Sequence, residues 1–222
     1  MGATDTFQKL LAEDKEEVVA MGSMVEKALG LSIEALKKRD LSAAHQIIAK
    51  DAKIDEKRFA IEKRSIGLIS AYQPAISDLN VIVTILNIIT ELERIGDYAA
   101  GIAKIVIMIG DEPPLKPLID IPRMSDITIE MIHNSLKAFK ENDYKGAVQV
   151  VGMDEVVDSL YDQIFRELLT FMMTDPKSIN RATRLIWVAH NIERAADRAT
   201  NICERVVYML TGKMEEIGAS KY

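Results

Sequence analysis

The sequence predicts an all-α protein built as two tandem, sequence-related three-helix bundles, six long helices in all. Three observations carry this expectation. Apolar residues recur at helical spacing, no stretch shows the sustained Val/Ile/Thr alternation of strands, and the second half repeats the first. Only 11 glycines and 6 prolines interrupt the 222 residues, and the prolines fall in three places.

The first helix is predicted from about Phe7 to Lys38, with Leu11, Val18, Met21, Val25, Leu29 and Leu36 at helical spacing. Asp40 can cap the second, from Leu41 to about Tyr72, and Gln73-Pro74 marks its end. Ser77 or Asp78 can cap the third, from Leu79 to about Ile109. That helix is apolar nearly all round at its start, which suits an enclosed position. Gly110 to Pro122 carries four prolines and reads as a linker. The fourth helix covers about Arg123 to Glu141, Asn142-Asp143 breaks the pattern, and the fifth covers Tyr144 to Thr174. Asp175-Pro176 turns the chain, and Ser178 can cap the sixth helix, which lasts to about Leu210. The expected domains are residues 1–109 and 123–212, joined by the linker 110–122 and followed by a frayed tail, 213–222.

The halves match in residues as well as layout. Met21 aligns with Met124, Asp40 with Asp143, Asp51 with Asp154 and Asp55 with Asp158, each at an offset of 103. Pro74 aligns with Pro176 at 102 and Glu93 with Glu193 at 100, a drift that small deletions in turns explain.

Composition excludes several functions. At 48% hydrophobic and 28% charged residues, a sizeable core and a polar surface can both form. A net charge of −6 argues against a nucleic-acid partner. The single cysteine, Cys203, leaves no internal disulfide and fits a reducing compartment. The most apolar run, Val81 to Ile89, is too short for a membrane span of about 20 residues. No Gly-rich phosphate loop, nucleophile elbow or Cys-x-x-Cys pair is present, so the chain reads as non-enzymatic.

The distinctive feature is a doubled acidic motif. Glu93-Arg94 with Asp97 recurs as Glu193-Arg194 with Asp197, each pair of carboxylates one helical turn apart. Asp51 and Asp55 make a similar pair on the second helix, and Asp154 and Asp158 on the fifth. Asp51 and Asp55 lie 23 and 19 residues before Pro74, while Glu93 and Asp97 lie 19 and 23 after it. In an antiparallel hairpin, Asp55 then faces the level of Glu93 and Asp51 that of Asp97. Around Pro176 the distances are 22 and 18 before, 17 and 21 after. Each bundle is expected to bring four carboxylates to one level.

Two unit charges 4 Å apart interact by about 4 kcal/mol at an effective dielectric near 20, so such clusters call for cations or protons. All-oxygen ligands favour Mg²⁺, Mn²⁺ or Ca²⁺, and also iron. Asn201 adds a neutral oxygen to the second stripe, whereas Gly101 stands at the matching place in the first. The alternative is that the carboxylates are solvated or paired with Arg94 and Arg194, each three residues before an aspartate. His190 shares the Glu193 stripe but has Thr90 as its counterpart, and reads as a partly buried structural histidine. The Glu-x-x-His pairs of ferritin-like di-metal enzymes are absent.

The motif Asn-Ile-Glu-Arg-Ala-Ala-Asp-Arg-Ala-Thr-Asn at 191–201, its copy at 91–101 and the six-helix repeat resemble the PhoU family of phosphate-signalling proteins. The resemblance spans about Phe7 to Leu210, and Gly101 departs from the asparagine often found there. It implies two symmetric three-helix bundles, some members carrying multinuclear iron or zinc clusters on the acidic motifs. It implies a cytoplasmic accessory regulator, peripheral at the inner membrane face through its partners. Those partners would be the ATPase subunit of the phosphate importer and a PhoR-type sensor histidine kinase, with homodimers common. A metal-dependent helical-bundle enzyme and a metal-free structural adaptor are the rival expectations.

Overall fold

The computed structural model describes residues 3–213 and contains six long helices, as expected. They are α1 (Ala3–Lys38), α2 (Leu41–Tyr72), α3 (Ile76–Ile109), α4 (Asp120–Glu141), α5 (Tyr144–Thr174) and α6 (Ile179–Thr211). A single 3-10 turn, Pro176–Ser178, precedes α6. The tail expected to fray lies outside the described residues from position 214 on.

Several helix starts differ from expectation. Asp40 caps α2 as foreseen, accepting from the Ala43 amide at 2.9 Å. Neither Ser77 nor Asp78 caps α3, which begins earlier, after Ala75. Asp78 therefore lies inside the first turn, where a negative charge suits the helix dipole, and accepts from Gln8 Nε2 of α1 at 3.2 Å. Ser178 does not cap α6 either; Asp175 caps the 3-10 turn before it by accepting from the Lys177 amide. The fourth helix starts at Asp120 rather than Arg123 and takes Pro122 into its first turn, where the missing N–H costs nothing.

The turns repeat like the helices. Arg39 and Asn142, equivalent at the offset of 103, both adopt left-handed φ, 54° and 55°. Ser32 and Ser135, equivalent in the same way, are buried and donate to the carbonyls of Leu29 and Ile132 at 2.7 and 2.8 Å.

Helices α1, α2 and α3 pack as one bundle and α4, α5 and α6 as the other. A seam joins them, in which α3 lies along α6 and α1 crosses α4. Among the described residues α2 and α5 pack only within their own bundles, so both face outward. Both seam helices carry apolar buried faces, with Ile88, Leu92, Ile95 and Ala99 of α3 and Ile192, Ala195, Ala199 and Ile202 of α6 all buried. Where α1 meets α4, a Cβ on Gly22 would overlap Leu136 Cδ1, so glycine lets the Leu136 side chain keep its place against α1. One buried charge serves the first bundle: Asp14, 1% exposed, accepts from Arg64 Nε at 2.7 Å and Ser65 Oγ at 3.1 Å. Among the described residues, no helix is long and apolar enough to cross a membrane.

Candidate functional site

The acidic pairs sit on the two outer hairpins, α2–α3 and α5–α6. Ile54 and Ile61 turn one side of α2 into the core, and Leu92 and Ile95 do the same for α3. Asp51, Asp55 and Glu93 are left half-buried at the edge of that core, and Asp97 is exposed. In the second bundle Val157 and Leu160 of α5 and Ile192 and Ala196 of α6 are buried, leaving Asp154, Asp158, Glu193 and Asp197 half-buried.

The residues expected to share a level act on one another. Burial raises the pKa of Asp51, and the charges of Asp97 and Asp55 raise it further, against Lys104. Burial likewise raises Glu93, with Asp97 and Asp55 adding to it against Arg58 and Arg94. The second cluster is more strongly perturbed. Burial, then the charges of Asp158 and Asp197, pushes Asp154 up to about 7. Burial, then Asp197 and Asp158, pushes Glu193 up to about 7 despite Arg194. Asp158 is raised by burial and by Asp197.

Burial is the main cause of the stronger shifts in the second cluster, and one position that motif reading overlooked adds to the difference. Arg58 Nη1 lies 3.8 Å from Glu93 Oε1, placing a cation beside the first cluster. Tyr161 occupies the matching place, at the offset of 103, and its ring stands 6.2 Å from that of His190. No charge compensates Glu193 from α5. Comparing the aligned helices residue by residue would have shown this Arg-for-Tyr exchange, three residues after Asp55 and Asp158.

The arginines of the motifs face the seam. Arg94 pairs with Glu91 at 3.5 Å, not with Asp97, and Arg194 reaches Asp197 only at 3.9 Å while bonding to Tyr98. Asn201 is also a seam residue: its Nδ2 donates to Glu91 Oε2 at 3.3 Å, beside Arg198 Nη1 at the same distance. The Gly101–Asn201 mismatch has the same origin. A Cβ on Gly101 would stand 3.1 Å from Asn191 Oδ1, so the first copy is small where the second copy presents Asn191. His190 is exposed rather than partly buried, its side chain 54% accessible and Nδ1 3.4 Å from Glu193 Oε2.

Two oxygens of the second cluster, Asp154 Oδ1 and Glu193 Oε2, are closed off from solvent and make no hydrogen bond, Glu193 Oε2 having only the long His190 contact. Buried carboxylate oxygens without donors are costly unless a proton or cation meets them. The donor chemistry therefore fits a hard cation. Among the described residues, however, no three His, Cys, Asp or Glu side chains converge closely enough to hold one ion.

The fold and its doubled acidic hairpins define a duplicated helical-bundle protein of the kind described by the PhoU domain, whose family model matches residues 18–106 and 121–206. The chain belongs to the PhoU family. It is 41% identical over 206 residues to an Aquifex aeolicus protein named phosphate-specific transport system accessory protein PhoU homolog, covering 93% of each chain. A Clostridium acetobutylicum protein of the same name is 39% identical, covering 95% of this chain and 97% of that one. The crystal structure of PhoU from Pseudomonas aeruginosa superimposes with a TM-score of 0.88 at 32% identity, covering 93% of this chain and all of that one.

Proposed function

We propose that this chain is a non-catalytic accessory protein of a phosphate-specific transport system, acting as a negative regulator of phosphate uptake and of the phosphate-starvation response. The observation that carries this reading is the likeness, along 93% of both chains, to a protein named as a phosphate-specific transport system accessory protein. The partners in this reading are the ATPase subunit of the importer and a PhoR-type sensor histidine kinase, with the protein as a homodimer at the cytoplasmic face of the membrane. Long packed helices present rigid faces on both bundles, which suits holding partners rather than turning over a substrate. The test is deletion of the gene in cells with plentiful phosphate. Derepression of phosphate-starvation genes is expected, and unchanged expression would sink the proposal.

Metal belongs to the same proposal. Asp51, Asp55, Glu93 and Asp97 would hold one site and Asp154, Asp158, Glu193 and Asp197 the other, with iron, zinc, Mg²⁺ or Mn²⁺ neutralising the clustered charge. The buried oxygens of Asp154 and Glu193 that make no hydrogen bond support this for the second cluster first. Asn201 is left to the seam. A metal-free adaptor is the second reading, favoured by the lack of three converging ligands among the described residues. Elemental analysis of protein purified without chelators separates the two: absence of bound metal in active protein decides for the adaptor.

A further inference from the structure

An apolar groove of about 270 Å³ lies between α1 and α2 of the first bundle, with Gly96 of α3 on its floor. Its α1 wall is Met24, Lys27, Ala28 and Leu31, and Leu31 is 41% exposed. Its α2 wall is Ile47, Lys50, Asp51 and Ile54, with Lys53 at the rim. Both walls follow the i, i+3, i+4, i+7 pattern, the faces that two antiparallel helices turn toward a third.

The rim is positive in a chain that is otherwise acidic, with a net charge of −6. Lys27, Lys50 and Lys53 are exposed and engage in no hydrogen bond or ion pair among the described residues. Asp51 is the one acidic residue lining the groove. The second bundle lacks this chemistry. At the offset of 103, Glu130 stands for Lys27, Met153 for Lys50, Val156 for Lys53 and Asn134 for Leu31. The duplication has thus kept the scaffold and given one copy alone an apolar trough flanked by ammonium groups.

We propose that this groove docks an amphipathic helix of a partner protein, its apolar ridge seated between α1 and α2 and its flanks carrying Asp or Glu. Aliphatic side chains of the ridge would cover Met24, Ala28 and Leu31, and flanking carboxylates would meet Lys27 on one side and Lys50 and Lys53 on the other. The charge pattern selects the partner and the bundle together, since Glu130 repels the same helix from the second copy. The inference rests neither on metal binding nor on the transport reading.

The test uses the full chain and a fluorescein-labelled synthetic helix of roughly 18 residues, about five turns, with leucines along one face and glutamates flanking them. A counterpart carries lysines in place of the glutamates, and phosphatidylglycerol vesicles serve as a third probe. Fluorescence anisotropy is expected to show the glutamate helix binding about tenfold or more tighter than the lysine helix at low salt, the gap narrowing as salt rises. The K27E/K50E/K53E protein, altered only at exposed positions, should reverse that preference with an unchanged circular dichroism spectrum. Leu31→Ser should weaken the glutamate helix, and Glu130→Lys should leave it unaffected. Equal binding of the two helices, or retained preference in the triple variant, overturns the proposal. So does vesicle binding that the triple variant loses while the peptide never binds. A changed sedimentation coefficient of the free triple variant would give the groove to a second copy of the chain and overturn it equally.

Discussion

Asp154 offers the most direct perturbation of the acidic hairpins. In the folded, metal-free protein it and Glu193 are pushed up to about 7, mainly by burial. In the unfolded chain both return to ordinary carboxylate values near 4. The fold therefore retains protons that the unfolded chain releases, and their stabilising contribution is fully present below about pH 4 and lost as pH rises through 7. Each retained proton costs about 1.4 kcal/mol of stability per pH unit across that window. Mutual coupling reduces the sum, as does residual water access, Glu193 being 23% accessible. Between pH 5.5 and 7.5 the chelated protein is thus expected to lose about 1–3 kcal/mol from these groups. Asp154→Asn removes one of the two protons and should lose about half as much, ending more stable than the parent at pH 7.5. Urea unfolding followed by circular dichroism, in chelator at both pH values, reads the difference. Adding Mn²⁺ or Fe²⁺ at pH 7.5 should restore the parent and do less for the variant. A parent stability that is flat or rising over the window, or equal pH slopes in parent and variant, would refute the reasoning.

Three further outcomes follow from the packing and the ion pairs. Asp14→Ala leaves Arg64 and Ser65 without their acceptor, and because Arg64 is 46% accessible and can turn to water the loss should be about 3 kcal/mol, read as a lower urea midpoint. Gly22→Ala should cost about 1–3 kcal/mol by forcing Leu136 from its place between α1 and α4. Leu136→Ala in the same chain should recover part of that, and strict additivity in the double-mutant cycle would count against the contact. Arg58→Tyr copies the second bundle into the first, so carbon-13 NMR of the carboxyl groups should show Glu93 titrating at higher pH than in the parent.

Helix type and number were legible because strong apolar periodicity leaves little choice, and Asp40 announced its cap. Helix starts were less so. Ser77, Asp78 and Ser178 are all good capping residues, yet α3 starts ahead of the first two and a 3-10 turn absorbs the third. Propensity says that a residue can cap, and the packing of the hairpin decides which one does. The levels of the carboxylates were legible from their distances to Pro74 and Pro176, because an antiparallel hairpin makes height a matter of counting. Lateral direction was not. Asn201 lies one turn beyond Asp197 but points to Glu91, since that flank of α6 runs along α3. Arg94 turns toward the same seam and away from Asp97. A helix pattern carries rotation only relative to its own core, and α6 packs against three other helices, α3, α4 and α5.

The seam also bears on what duplication has made of the two halves. Glu91 faces Asn201 and Arg198, while its counterpart Asn191 faces Gly101. A protein assembled from two first halves would set each Glu91 against a glycine, a half-buried carboxylate with no amide to meet it. One assembled from two second halves would set Asn191 against Asn201, with two amides crowding where glycine now makes room. Each half has become the other's specific mate, so the ancestral symmetry survives in the backbone but no longer in the residues that would let like pair with like.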